Sequence, residues 1–129
     1  MTISTNPKVL ISDDERIIAD TLALILNRDG FEARAVYTSR GALDLASNFQ
    51  PDVLISDVLM ADINGVDAAV QMRALLPDVR VILLSGQSET AEILARSQAR
   101  DLGFEVLVKP VHPRELLNRL RTVGQGVPA

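Results

Sequence analysis

Val53-Leu54-Ile55-Ser56-Asp57, running on into Val58-Leu59-Met60-Ala61-Asp62-Ile63-Asn64-Gly65, is the stretch on which the fold turns. A short apolar run bounded upstream by Pro51-Asp52 reads as a strand buried on both faces, as in a parallel sheet. Asp57 falls where that strand ends, at the sheet edge where α/β folds gather their ligands. Downstream, Asp62 and Asn64-Gly65 carry turn chemistry, with Asn64-Gly65 suited to a positive φ, so a short loop leads into the next helix. Asp57 is therefore expected to be presented and not buried.

The same pattern recurs at residues 8–12 (Lys-Val-Leu-Ile-Ser), which end on Asp13-Asp14-Glu15. Ile18, Leu22, Ile25 and Leu26 then form one apolar stripe of a helix, with Gly30 as its C-terminal cap. Residues 31–37 alternate as an edge strand, and Thr38 or Ser39 caps a helix whose inner side is Ala42, Leu45, Ala46 and Phe49. Val66, Ala69, Met72 and Leu76 mark a third helix, closed by Pro77-Asp78. A fourth strand spans 79–84, with Ser85-Gly86-Gln87-Ser88 as its exit loop. Residues 89–102 form the least amphipathic helix, its thin stripe made of Ala91, Ala95, Ala99 and Leu102, with Glu92, Arg96 and Arg100 outside. Its packing is expected to be the weakest. Gly103 caps it, 104–108 is a fifth strand closed by Lys109-Pro110, and 113–123 is a last helix burying Leu116, Leu117, Leu120 and Val123. Five strand–helix alternations with short connections predict a doubly wound five-stranded parallel α/β sandwich of three layers with right-handed crossovers.

A chain of 129 residues, 47% hydrophobic, fits a single domain over 1–129, with its core at about 8–123 and residues 124–129 as a tail or linker. It has no apolar run near the ~18 residues a bilayer crossing needs, and residues 1–7 are no signal peptide, so a cytoplasmic protein without membrane contact is expected. With no cysteine there is no disulfide framework and no thiolate chemistry. A net charge of -4, three Phe and one Tyr argue against direct nucleic-acid binding. Neither phosphate-binding glycine motif is present, which argues against nucleotide binding.

The strand exits collect Asp13, Asp14, Asp57, Ser85 and Lys109 at one edge. Three carboxylates there repel by roughly 3 kcal/mol per pair at ~5 Å and an effective dielectric near 20. Lys109 compensates in part, and a hard divalent ion such as Mg²⁺ supplies the rest, with Asp13 and Asp14 as metal-site residues. Such a site suits phosphoryl transfer to a carboxylate, Asp57 being the central nucleophile, with Lys109 a point charge and Ser85 a hydrogen-bond donor to the phosphoryl group. Taken singly, each residue has an ordinary reading: a helix-capping acidic run, a turn, a loop, a solvated strand end. Their joint occurrence at one edge outweighs those readings. His112 reads as a solvated loop residue, and Met60 and Met72 as packing.

Val9-Leu10-Ile11-Ser12-Asp13-Asp14-Glu15, residues 52–60 with Asn64-Gly65, Val81-Ile82-Leu83-Leu84-Ser85-Gly86 and Val108-Lys109-Pro110 together resemble the receiver domain of bacterial two-component response regulators. The resemblance implies a flavodoxin-like strand order 2-1-3-4-5. It also implies that Asp57 is phosphorylated by a histidine kinase or histidine phosphotransfer protein. Asp14, Asp57 and the Leu59 carbonyl would ligate Mg²⁺, Asp13 would act through water, and Ser85 and Lys109 would contact the phosphoryl group. Lys109-Pro110 would be a cis peptide. The fourth helix, fifth strand and fifth helix would form the surface that changes on phosphorylation, addressing a downstream target or output domain or a phosphorylation-dependent dimer. Such a chain is a regulatory phosphoacceptor whose only chemistry is its own phosphorylation and dephosphorylation. Two positions depart from the pattern: Ala61 replaces a common proline, and Val106 replaces a switch aromatic for which Phe104 is a less plausible stand-in than plain core. Residues at Leu59 and Gln87 are implied to influence how long the phosphoryl group lasts. The competing readings are a phosphate-independent pseudo-receiver and a haloacid-dehalogenase-like phosphatase. The latter wants an acid where Leu59 stands. A histidine phosphocarrier is disfavoured because proline follows His112.

Overall fold

The computed structural model describes residues 6–86 and 90–124. Gln87, Ser88, Glu89 and the tail from 125 lie outside the described residues. Strand and helix alternate as the hydrophobic spacing requires: β1 (Lys8–Ser12), α1 (Arg16–Arg28), β2 (Glu32–Val36), α2 (Ser39–Phe49), β3 (Val53–Asp57), α3 (Gly65–Leu75), β4 (Arg80–Ser85), α4 (Thr90–Asp101), β5 (Glu105–Val108) and α5 (Pro113–Gly124). The strands form one parallel sheet in the order β2-β1-β3-β4-β5. This is the expected doubly wound arrangement, and its order reverses between β1 and β3.

Alternation along the central strands divides the core in two. Val9, Ile11, Val53, Ile55, Ile82 and Leu84 pack under α1 and α5 against Leu22, Leu26, Leu116 and Leu120. Leu10, Leu54, Val81 and Leu83 face α2, α3 and α4, meeting Ala46, Phe49, Val66, Met72 and Ala99. The edge strand β2 has one wet side, with Glu32 and Arg34 exposed and Ala33 buried. At the other edge Arg80 ties β4 to its neighbours, its Nη2 donating to Glu105 Oε1 at 2.7 Å and its Nη1 to the Arg119 carbonyl at 2.9 Å. No helix among the described residues is long and apolar enough to cross a membrane.

Two local expectations are corrected. Asn64-Gly65 does not take a positive φ; among the described residues that conformation belongs to Gly30, Gln50 and Gly103. Asn64 is instead the N-cap of α3, its side chain accepting the Asp67 N–H at 2.9 Å. Gly65 is demanded by close approach, since a Cβ there would lie 2.2 Å from the Asp57 carbonyl oxygen and 3.0 Å from Val58 Cα. The second correction concerns α4, which is turned relative to its apolar pattern. Glu92 and Ala99 are buried and Ala95 and Arg96 half-buried, whereas Ala91 and Leu102 are exposed, along with Ile93 and Leu94. Nor is α4 the least amphipathic helix, contrary to expectation; α3 is less so, and in α4 contact with the sheet selected the face that carries Glu92 and Arg96.

The loop after β3 is held by a contact that local turn propensity does not reveal. Asp62 accepts the N–H groups of Ser39 at 3.1 Å and Arg40 at 2.8 Å, while Ser39 Oγ donates to the Ile63 carbonyl at 2.6 Å. Chiefly the Arg40 N–H holds the Asp62 carboxyl below its ordinary value. The exit of β3 is thereby tied to the start of α2. Gly65→Ala is expected to destabilise the protein by about 1–3 kcal/mol, the usual cost of overpacking, because the added methyl meets backbone and not a flexible side chain. Urea denaturation checks this, and an unchanged midpoint counts against the close-approach account.

Candidate functional site

β1 and β3 are neighbours whose connections leave on opposite sides, so their carboxyl ends flank the crevice at the sheet's switch point. Asp13 and Asp14 follow β1, and Asp57 ends β3. One carboxylate oxygen from each of the three lies within 4.8 Å of the others. Asp13 is buried, its Oδ1 accepting the Glu15 N–H at 2.9 Å, and Asp14 is exposed at the rim. Asp57 is 8% exposed. It was expected to be presented; instead the flanking strand ends enclose it, leaving its carboxyl group in reach of the crevice.

Lys109 enters from the end of β5, where its N–H donates to the Ser85 carbonyl at 2.7 Å and the Lys109-Pro110 peptide is cis. Its Nζ stands 3.2 Å from Asp57 Oδ2 and 3.7 Å from Asp13 Oδ2. Ser85 is fully buried beside it, and its Oγ has no hydrogen-bond partner among the described residues. The five residues predicted for the site are thus gathered at one edge, with Leu59, 42% exposed, two residues beyond Asp57.

The electrostatics follow from burial. Desolvation pushes the Asp57 carboxyl up to about 6; Lys109 opposes the shift, and Asp13 and Asp14 reinforce it. Burial likewise raises Asp13, against its hydrogen bond from Glu15 and the charge of Lys109. For Lys109, burial works against the charge, but Asp57 and Asp13 outweigh it and hold the ammonium above its ordinary value. One lysine beside three carboxyl groups leaves a negative pocket. Asp13 Oδ2 is buried and accepts no hydrogen bond among the described residues. A set of oxygen donors of this kind, partly buried and partly open at Asp14, fits a hard divalent cation that retains waters.

Other predicted residues prove structural. His112 Nδ1 accepts the Arg114 N–H at 3.1 Å and so helps start α5. Phe104 is buried in the core under α4, its ring lying beneath the Arg73 guanidinium, and Val106 is half-buried. Two residues have a role other than the one read from the sequence. Asp62 has no local signal for its bond to α2, and Glu92 was assigned to the outer side of α4.

A flavodoxin-like sheet whose switch-point crevice holds three acids, a serine and a cis-proline lysine defines an α/β domain with an acidic pocket at the carboxyl edge of its sheet. The profile of the response regulator receiver domain matches residues 9–121, and the chain belongs to that family. It is 36% identical over 124 residues to the transcriptional regulatory protein CreB of Escherichia coli, covering 92% of this chain and 51% of the relative. It is 34% identical to the DNA-binding transcriptional regulator NtrC of Azospirillum brasilense, covering 85% of this chain and 22% of that one. The chain therefore spans about half or less of the length of these relatives. Among solved structures, the chemotaxis response regulator CheY4 of Vibrio cholerae is 30% identical with a TM-score of 0.78, covering 92% of this chain and 99% of that one. A receiver domain of a signal transduction histidine kinase from Syntrophus aciditrophicus is 27% identical with a TM-score of 0.82, covering 94% and 92%. The protein is accordingly a receiver domain of the two-component type, a regulatory signalling module.

Because the folded carboxyl of Asp57 titrates above its unfolded value, folding favours its protonated form. That contribution is fully present at low pH and is lost as pH rises from the ordinary 3.8 to about 6. Without metal, Asp57→Asn is expected to be more stable than the parent by roughly 1–3 kcal/mol at neutral pH, with the gap closing towards pH 4. Added Mg²⁺ should narrow the gap by binding the ionised parent. Urea denaturation across that pH range, with chelator or with Mg²⁺, measures both effects. A gap that widened on acidification would reverse the sign of the argument.

Proposed function

We propose that residues 1–129 form a single phosphoacceptor domain in which Asp57 takes a phosphoryl group from a phosphohistidine on a histidine kinase or histidine phosphotransfer protein. The observation that carries this reading is the convergence of three carboxylate oxygens within 4.8 Å, with the Lys109 ammonium 3.2 Å from the proposed nucleophile. An Asp57 oxygen attacks phosphorus in line, the new O–P bond forms, the P–N bond breaks, and the imidazole leaves with that electron pair. No general base is needed, since above about pH 6 the nucleophile is already ionised. Asp14, Asp57 and the Leu59 carbonyl would hold Mg²⁺, with Asp13 acting through water. When bound, the ion supplies positive charge against which an anionic nucleophile can approach an anionic phosphoryl group.

Lys109 places a point charge beside the transferred group, and the buried Ser85 hydroxyl, which has no partner among the described residues, donates to one of its oxygens. Hydrolysis of the acyl phosphate resets the domain, which performs no other chemistry. A phosphatase reading lacks its acid: Leu59 is aliphatic and points no carboxyl group at the crevice. The signal leaves through α4, β5 and α5, where Ile93, Leu94, Leu102 and Val108 are partly or largely exposed. That face addresses an output domain, a separate protein target or a second copy. A cytoplasmic setting, without direct nucleic-acid or membrane contact by this domain, belongs to the same reading.

Incubated with Mg²⁺ and acetyl phosphate, the protein is expected to gain one phosphoryl group by intact mass, and Asp57→Asn to gain none. Lys109→Ala should slow the gain about 100-fold, the usual scale for losing one preorganised electrostatic contact. A parent that stays unmodified, or an adduct retained in Asp57→Asn, overturns the assignment.

A further inference from the structure

The first turn of α2 is capped twice. Its own Thr38 Oγ1 accepts the Gly41 N–H at 2.9 Å, and the carboxylate of Asp62, in the loop after β3, accepts the N–H groups of Ser39 at 3.1 Å and Arg40 at 2.8 Å. The bond to Arg40 lies at the exposed surface, where water satisfies a helix-end donor as well. What a carboxylate from a distant segment adds is a fixed spacing between α2 and the loop after β3. Ser39 Oγ reinforces that spacing by donating to the Ile63 carbonyl at 2.6 Å. Both halves of the acidic pocket hang on this one junction. From the β1 side, the Asp13 N–H donates to the Val36 carbonyl at 3.1 Å and Ser12 Oγ to the Thr38 carbonyl at 3.3 Å. From the β3 side, Asp62 and Ile63 hold the loop that carries Leu59. The ends of that loop are fixed by the Val58 N–H on the Leu84 carbonyl at 2.9 Å and the Gly65 N–H on the Val58 carbonyl at 2.6 Å. Between them Met60 is buried, but Leu59, Ala61 and Asp62 are exposed, so packing alone holds little of the loop.

We propose that Asp62 is a positioning residue for divalent-cation binding, holding the backbone at Leu59 in place beside the Asp13, Asp14 and Asp57 carboxyl groups by tethering its loop to the start of α2. The inference rests on the phosphoacceptor reading above, which supplies the Leu59 carbonyl as a ligand. A small hard cation demands its oxygens at set distances, so the residues behind the ligands decide how much ordering remains to be done on binding. With the tether in place the loop is ordered beforehand. Without it, part of the binding free energy is lost to ordering the loop. Asp62 contributes no ligand in this account, since both its oxygens are engaged by the N–H groups of α2. Its loss therefore shows in the affinity for the cation and not in the chemistry once the site is filled.

The test measures Mg²⁺ affinity of the whole chain by titration calorimetry, and its phosphorylation by acetyl phosphate, by intact mass, over a range of Mg²⁺ concentrations. Asp62→Ala is expected to weaken Mg²⁺ binding roughly 10-fold, the low end of the effect of losing a partner behind a ligand. Its phosphorylation rate at saturating Mg²⁺ should stay within about twofold of the parent, the pattern of a defect in binding alone. Ser39→Ala, which cuts the bond to the Ile63 carbonyl without altering charge, should weaken binding about 3-fold, the scale of one hydrogen bond. The double variant should fall short of the product of the two, because both act on one tether. If Asp62→Ala does not fold, Ser39→Ala carries the test alone. In about 0.5 M salt the Asp62→Ala defect should persist, whereas a loss of long-range attraction fades with screening. Unchanged affinity in the variants, a defect that vanishes in salt, or a rate that stays low at saturating Mg²⁺ overturns the proposal. A parent that binds Mg²⁺ yet gains no phosphoryl group removes the phosphoacceptor reading alone, and the affinity comparison still decides the role of Asp62. A parent that binds no Mg²⁺ overturns both.

Discussion

Three carboxyl groups are held within 4.8 Å of one another at a partly buried edge with one lysine to balance them, and most of what surrounds them serves that confinement. The sheet order puts β1 beside β3, so the acids that end the two strands cannot avoid each other. Lys109 is brought in by its backbone bond to Ser85 and stays charged because two of those acids face it. Gly65 lets α3 begin against the backbone of β3, and Asp62 pins the loop beside it to α2. Burial and mutual repulsion make the ionised pocket destabilising, which is why Asp57 and Asp13 are held above their ordinary values.

The opposite condition holds in α4. Helices α1, α2 and α3 bury apolar residues against the sheet, whereas α4 turns Glu92 and Arg96 inward and leaves Ile93 and Leu94 outside. A helix packed this way gives up little by moving. Elements that move are drawn from the less stable parts of a fold, and α4 has the inner face least filled by apolar side chains. The central strands, buried on both faces, fix the acids at their ends.

Much of this was legible in the chain. Runs such as Val53-Leu54-Ile55-Ser56-Asp57 bury both faces and end on a charge, which dictates a parallel strand with an acid at its exit whatever the rest of the chain does. The order of Asp13-Asp14, Asp57, Ser85 and Lys109 along five such runs was enough to place them at one edge, because parallel strands all point their carboxyl ends the same way. Periodicity also set the inner faces of α1 and α2, where Leu22 and Leu26, and Ala42, Ala46 and Phe49, recur at helical spacing, and that of α5 as far as Leu116 and Leu120; Val123 lies outside the residues whose side chains are described. What only the tertiary structure decided depends on contacts between distant segments. Gly65 and Asp62 look like turn residues until β3 and α2 are set beside them, and Asp57 looks open until neighbouring strand ends desolvate it. The inner face of α4 does not follow the Ala91, Ala95, Ala99 and Leu102 stripe, so the sheet and not the sequence pattern chose Glu92.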